Sequence, residues 1–219
     1  MSPFYKILFT ISTISDFLPL IPFAFIYKKL DKAYQVYFYA LFIGAVNDSL
    51  GLLKITKGLH FNFNLIYDLY EIVAFIIILW FFYVLNKERH KNRYFIVLCV
   101  GLVLQIIDWL YITKFKYNSI YASLFYYIVC SYLCLDRINY QIINGKKSSS
   151  KVDWSMIFCI TIGIYYSYDV FTLSLYCLNL PLKVTIPISL YYIMVLVNIA
   201  ANSTLLFVIF KLPQKPTKS

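Results

Sequence analysis

The sequence predicts an all-α, polytopic membrane protein: a bundle of seven transmembrane helices, with the N-terminus outside and the C-terminus cytoplasmic. Three observations carry this expectation. Of the 219 residues, 61% are hydrophobic and only 14% charged, with a mean hydropathy of +0.71, far from soluble-protein averages. The apolar residues gather in seven runs, each near the ~20 residues a helix needs to cross a bilayer. The loops between the runs alternate between rich and poor in Lys and Arg. Helices and closed barrels alone satisfy the backbone in hydrocarbon, and these runs are too long and too little alternating for barrel strands.

The first run, Phe4–Tyr27, has Asp16 at its apolar centre and no small-residue cleavage site before Lys28, so it reads as an uncleaved helix and not a secretion signal. Tyr34–Leu53, Phe63–Asn86, Tyr94–Thr113 and Ser119–Tyr140 follow across short connections. The longest connection, around Asn144–Lys151, contains Gly-Lys-Lys-Ser-Ser-Ser and reads as a polar loop. Asp153–Leu178 and Thr185–Phe210 complete the set, and the chain, 1–219, reads as one transmembrane domain.

Orientation follows from Lys and Arg, which short cytoplasmic loops retain. One face collects fourteen of them: Lys28, Lys29, Lys32, Lys87, Arg89, Lys91, Arg93, Arg137, Lys146, Lys147, Lys151, Lys211, Lys215 and Lys218. The other has six: Lys6, Lys54, Lys57, Lys114, Lys116 and Lys183. The richer face is assigned to the cytoplasm. The net charge of +10 then reflects loops facing anionic lipid, and no basic domain stands apart to bind nucleic acid.

Cys99, Cys130, Cys134, Cys159 and Cys177 all fall inside spans and read as small apolar packers. With His60 and His90 in loops on opposite faces, no metal site and no cofactor is expected. No Ser-His pair, P-loop or dinucleotide signature is present. Thr185–Phe210 has no Lys for a retinal Schiff base, and Tyr168-Asp169 lacks the Gly-x-Gly-Asp partner of the intramembrane aspartyl proteases. The chain is not expected to be an enzyme.

At membrane depth the spans nevertheless hold six carboxylates and no Lys or Arg: Asp16, Asp48, Asp68, Glu71, Asp108 and Asp169. Helical rise puts Asp48, Asp68 and Asp108 only about 7 Å from the ends of their spans, where contact with headgroups suffices to explain them. Glu71, Asp169 and Asp16 lie deeper, at roughly 12, 13 and 18 Å. An Asp at mid-membrane costs about 2.5–3.5 kcal/mol and marks a functional pathway by default. Such acids are protonated, hydrated in a pocket, or holding a cation.

Polar and small residues recur on the acids' own faces. Asn64, Asp68 and Glu71 follow i, i+4, i+7, as do Gly101, Gln105 and Asp108; Gly44 and Gly51 flank Asp48, Ser12 precedes Asp16 by one turn, and Asn198 and Asn202 stand one turn apart. Interhelical hydrogen bonding accounts for the amides. The deep acids point to an outward-facing polar cavity made of Asp16, Asp48, Asp68, Glu71, Asp108, Asp169, Asn198 and Asn202. Tyr67, Tyr70, Trp109, Tyr111, Tyr165, Tyr166, Tyr168 and Tyr191 sit at this level, as an interfacial belt or as a cage for an organic cation.

Phe17-Leu18-Pro19-Leu20 followed by Tyr27-Lys28-Lys29-Leu30, and Asn62 and Asn64 preceding Tyr67-x-x-x-Glu71, resemble a family of small seven-helix bacterial membrane proteins. The resemblance implies an architecture and a bacterial inner-membrane setting, and no chemistry. The expected function is binding of a cation, proton or small amine within the bilayer, for sensing or transport, with a signalling partner protein if the chain is a sensor. The alternative is a non-catalytic membrane subunit that docks a protein partner.

Overall fold

Seven α-helices account for nearly all of the structure, a computed structural model that describes residues 3–57, 63–86, 91–114, 118–144, 153–182 and 188–213. They are α1 (Pro3–Ile26), α2 (Lys32–Lys57), α3 (Phe63–Leu85), α4 (Lys91–Ile107), α5 (Ile120–Asn144), α6 (Trp154–Leu182) and α7 (Ile188–Ile209). A 3-10 turn, Tyr27–Lys29, leads from α1 towards α2, and a π-helical turn, Asp108–Ile112, ends α4.

Six of the helices, all but α5, are long and apolar enough to cross a membrane. The expectation of seven apolar spans is therefore narrowed. α5 carries Ser123, Tyr126, Tyr127 and Ser131 in its first half and Asp136, Arg137, Asn139 and Gln141 in its second. Its buried positions, Ala122, Ser123, Tyr126, Cys130, Leu133 and Cys134, repeat at helical spacing, so Ser123 and Tyr126 of the first half are turned into the protein on an otherwise apolar face.

The packing order explains why that face is tolerated. α1, α2, α3, α5, α6 and α7 close a ring in which each helix packs on the next and α7 returns to α1. α4 stands outside, against α3 and α5 only, with Phe95, Ile96, Val100, Val103 and Ile106 exposed. α5 thus presents Ser123 and Tyr126 to the protein's interior, and α4 has the outward apolar surface of a lipid-facing helix.

At one end the interior is filled by aromatic rings. Tyr34 and Tyr37 of α2, Phe81 of α3 and Phe158 of α6 pack with centroids 4.9 to 6.1 Å apart. Such pairs contribute about 0.5–1.5 kcal/mol each beyond area burial. The Tyr34 hydroxyl pairs with Ser155 Oγ at 2.6 Å. At the same end Asp31 N–H donates to Pro213 O (3.1 Å), Arg137 Nη1 donates to Asn86 Oδ1 (3.4 Å), and Arg93 pairs with Asp136 at 3.9 Å. The helices therefore alternate in direction, and Arg93, Arg137 and the ends of α1 and α7 share one face. Lys87, Arg89, His60, His90, Lys116, Lys146, Lys147, Lys151, Lys183, Lys215 and Lys218 lie outside the described residues, as does the Gly-Lys-Lys-Ser-Ser-Ser loop.

Candidate functional site

The acids divide into two groups. The first serves the start of α5, whose leading N–H groups lie inside the protein and have no carbonyl of their own helix to bond. Asp68 of α3 accepts from Ser119 N–H through Oδ1 (3.0 Å), and from Ser119 Oγ–H (2.9 Å) and Trp109 Nε1–H (2.7 Å) through Oδ2. Asp108 Oδ2 accepts from Tyr121 N–H (3.0 Å) and Ala122 N–H (3.1 Å). The π turn, closed by Thr113 N–H on Asp108 O at 2.8 Å, carries Asp108 into this position. A carboxylate at a helix N-terminus also complements the helix dipole.

Asp68 and Asp108 are 2% and 1% exposed, so they do not reach the headgroups as their depth suggested. They are caps supplied to α5 by its neighbours. Gln105 joins them, donating to Ser119 Oγ (2.6 Å) and accepting from the Tyr126 hydroxyl (3.0 Å). Glu71, one turn further along α3, accepts from Ser123 Oγ–H and from the Tyr127 hydroxyl (2.8 Å). Ser119, Ser123 and Tyr127 were not singled out in the sequence, although their i, i+4, i+8 spacing marks one face of α5.

The second group lies at the centre of the ring. Asn198 Nδ2 donates to Ser12 Oγ and to Asp16 Oδ1, both at 2.9 Å. Asn202 Nδ2 donates to the same Asp16 oxygen at 2.7 Å. The polar stripes of α1 and α7 therefore face each other. Asp48 of α2 lies within hydrogen-bonding reach of Asp16, and its Oδ1 receives Asn47 Nδ2 at 3.3 Å. The other Asp16 oxygen, Oδ2, is buried and receives no N–H or hydroxyl donor among the described residues.

Asp16, Asp48, Asn198 and Asn202 line a cavity of about 90 Å³ together with Tyr70, Thr161, Tyr165 and Tyr166. Glu71 lines a second cavity of about 60 Å³ between α3, α5 and α6, which shares Tyr70, Ala74, Tyr165 and Tyr166 with the first. Asp169 is buried on α6 and lines neither, but it is close enough to Asp48 and Glu71 to interact with both electrostatically. Among the described residues no Lys, Arg or His lines either cavity. The eight residues expected to form one cavity are thus distributed: four line the central space, Glu71 the adjoining one, Asp169 sits within reach of both, and Asp68 and Asp108 cap α5.

The aromatics divide too. Tyr70, Tyr165 and Tyr166 border both cavities, Trp109 is committed to Asp68, Tyr168 donates to Leu190 O at 2.9 Å, and Tyr111 is 74% exposed. The side chain of Tyr191 lies outside the described residues. Among the described residues no three His, Cys, Asp or Glu side chains converge as metal ligands.

Fold and site together define a multi-pass helical membrane protein with acids buried inside its helix ring. The chain matches no family model, no curated protein and no solved structure.

Proposed function

We propose that this protein binds a proton or a small cation in the central cavity, within a bacterial inner membrane, and that it is a binding protein and not an enzyme. The observation that carries the reading is the placement of Asp16, Asp48 and Glu71 on two adjoining cavities, with Asp169 close enough to interact, and with no basic side chain lining either cavity among the described residues. Carboxylates placed in this way need a positive counter-charge from outside the chain. A volume of about 90 Å³ is far below the ~300–1,000 Å³ of sites for drug-sized ligands, which favours an ion over an organic amine.

Sensing is favoured over transport. Tyr37 forms part of the cavity wall and packs on Phe81 and Phe158, so the aromatic core abuts the cavity, which supports a blind pocket. Thermal unfolding of the purified protein in NaCl, KCl and choline chloride across a pH series tests the reading. At a cation concentration of 100 Kd, linkage gives a rise in Tm of about 5–10 °C. Identical Tm values in every salt and at every pH would reject it and favour the alternative, a subunit that docks a protein partner.

The orientation belongs to the same proposal and has its own test. With the basic end cytoplasmic, Leu30→Cys and Ser148→Cys should be shielded from an impermeant thiol reagent in intact cells, while Gly58→Cys should be labelled. Modification at position 148 would reverse the bundle.

A further inference from the structure

Asp16 has two oxygens with different fates. Oδ1 takes the Nδ2 groups of Asn198 and Asn202, at 2.9 and 2.7 Å. Among the described residues no N–H or hydroxyl donates to Oδ2, which is buried, and Asp16 as a whole is 9% exposed. The nearest ionisable group across the α1–α2 contact is a second carboxyl, Asp48, within hydrogen-bonding reach. Two carboxylates cannot sit at that separation without a positive charge between them, because their repulsion grows as the water around them is removed.

Among the described residues the neighbouring helices add no basic group. α3 contributes Tyr70, whose hydroxyl lies near Gly44, and Glu71 beyond it. α6 contributes Tyr165 and Asp169, and α7 contributes the two amides. Every ionisable side chain facing the pair is therefore a carboxyl or a phenol. Oxygen donors are abundant: the two Asp carboxyls, Thr161 and the Tyr hydroxyls border a space wide enough for an ion with a few waters.

We infer that Asp16 and Asp48 together hold one monovalent positive charge, a proton or an alkali-metal ion, between α1 and α2, and that the two species compete for this place. The inference rests on the proposed cation-binding function and assigns its site. Binding joins two helices that meet along one seam of the ring, so occupancy tightens α1 against α2. Asn198 and Asn202 act as positioning residues by fixing the orientation of the Asp16 carboxyl.

The experiment uses the purified full-length protein with NaCl as the probe, choline chloride holding ionic strength constant, and Tm recorded as a function of Na⁺ and pH. Wild type should gain stability with Na⁺, with the midpoint of that gain moving about tenfold to higher Na⁺ for each unit fall in pH. Asp16→Asn and Asp48→Asn should each abolish the response, while Asp108→Asn, remote from both cavities, should keep it. A wild-type response to pH alone, insensitive to Na⁺ and lost in both variants, identifies the proton as the occupant. A response kept in both variants overturns the site but leaves the proposed function standing, and an unresponsive wild type overturns both. If Asp16→Asn does not fold, the half-buried Asp48→Asn decides: a retained response there overturns the inference.

Discussion

Asp68→Asn is expected to destabilise the folded protein by about 1–3 kcal/mol, and Asp108→Asn by about 1 kcal/mol or less. The contrast follows from which oxygens are used. Both oxygens of Asp68 accept hydrogen bonds, from Ser119 N–H on one side and from Trp109 Nε1–H and Ser119 Oγ–H on the other. An amide must set its NH₂ against one of those N–H donors, which then loses its acceptor in a place water does not reach. Asp108 accepts both of its bonds through Oδ2, and its Oδ1 has no partner. The carbonyl of an Asn takes over that single oxygen, and mainly the charge assistance is lost. Truncation removes the difference: Asp108→Ala leaves the N–H groups of Tyr121 and Ala122 without acceptors and should cost about 2–4 kcal/mol. Unfolding of the three variants in a graded detergent or thermal series gives the ranking. Equal losses for the two Asn variants would show that the caps act through charge alone.

The second large effect is expected at Gly101, where a Cβ would lie 2.9 Å from Phe75 Cε1 and 2.9 Å from Tyr126 Cε1. Neither ring can step aside. They are stacked on each other, with centroids 4.3 Å apart and planes 21° from parallel, and the Tyr126 hydroxyl is bonded to Gln105 Oε1 at 3.0 Å. Gly101→Ala should therefore cost about 1–3 kcal/mol by overpacking, in spite of the better helix propensity of Ala. Gly44→Ala is the matched control. Its nearest neighbour would be the Tyr70 hydroxyl at 3.6 Å, an ordinary contact, so this change should be neutral or stabilising by up to about 1 kcal/mol. The two variants should consequently shift Tm in opposite directions or by clearly different amounts. Gly101→Ala with wild-type stability would mean that α4 is free to move away from the seam between α3 and α5.

Much of the site was legible along single helices. The spacing of Gly101, Gln105 and Asp108 marked the face of α4 that packs inward, and all three are buried. Asn198 and Asn202, one turn apart, do meet the Ser12 and Asp16 stripe of α1. A face is a local property, set by 3.6 residues per turn, and periodicity reports it without knowledge of the neighbours. The division of labour among the acids was not legible. Asp68 and Asp48 lie at similar distances from the ends of the spans expected from hydropathy, yet one is consumed by three donors around α5 and the other faces a second carboxyl.

Apolar length and the need to satisfy the backbone in hydrocarbon leave few forms other than a helical, multi-pass membrane protein, and the acids in its spans are read directly along the chain. Which helices are neighbours emerges from packing. In lipid every helix has a comparable apolar surface, so hydropathy does not distinguish a ring member from the peripheral α4, or reveal that Ser123 and Tyr126 of α5 face the interior. That choice of neighbours placed Asp68 and Asp108 at the N-terminus of α5 and Asn198 and Asn202 on one oxygen of Asp16, and it brought the Asp48 carboxyl within hydrogen-bonding reach of the same side chain.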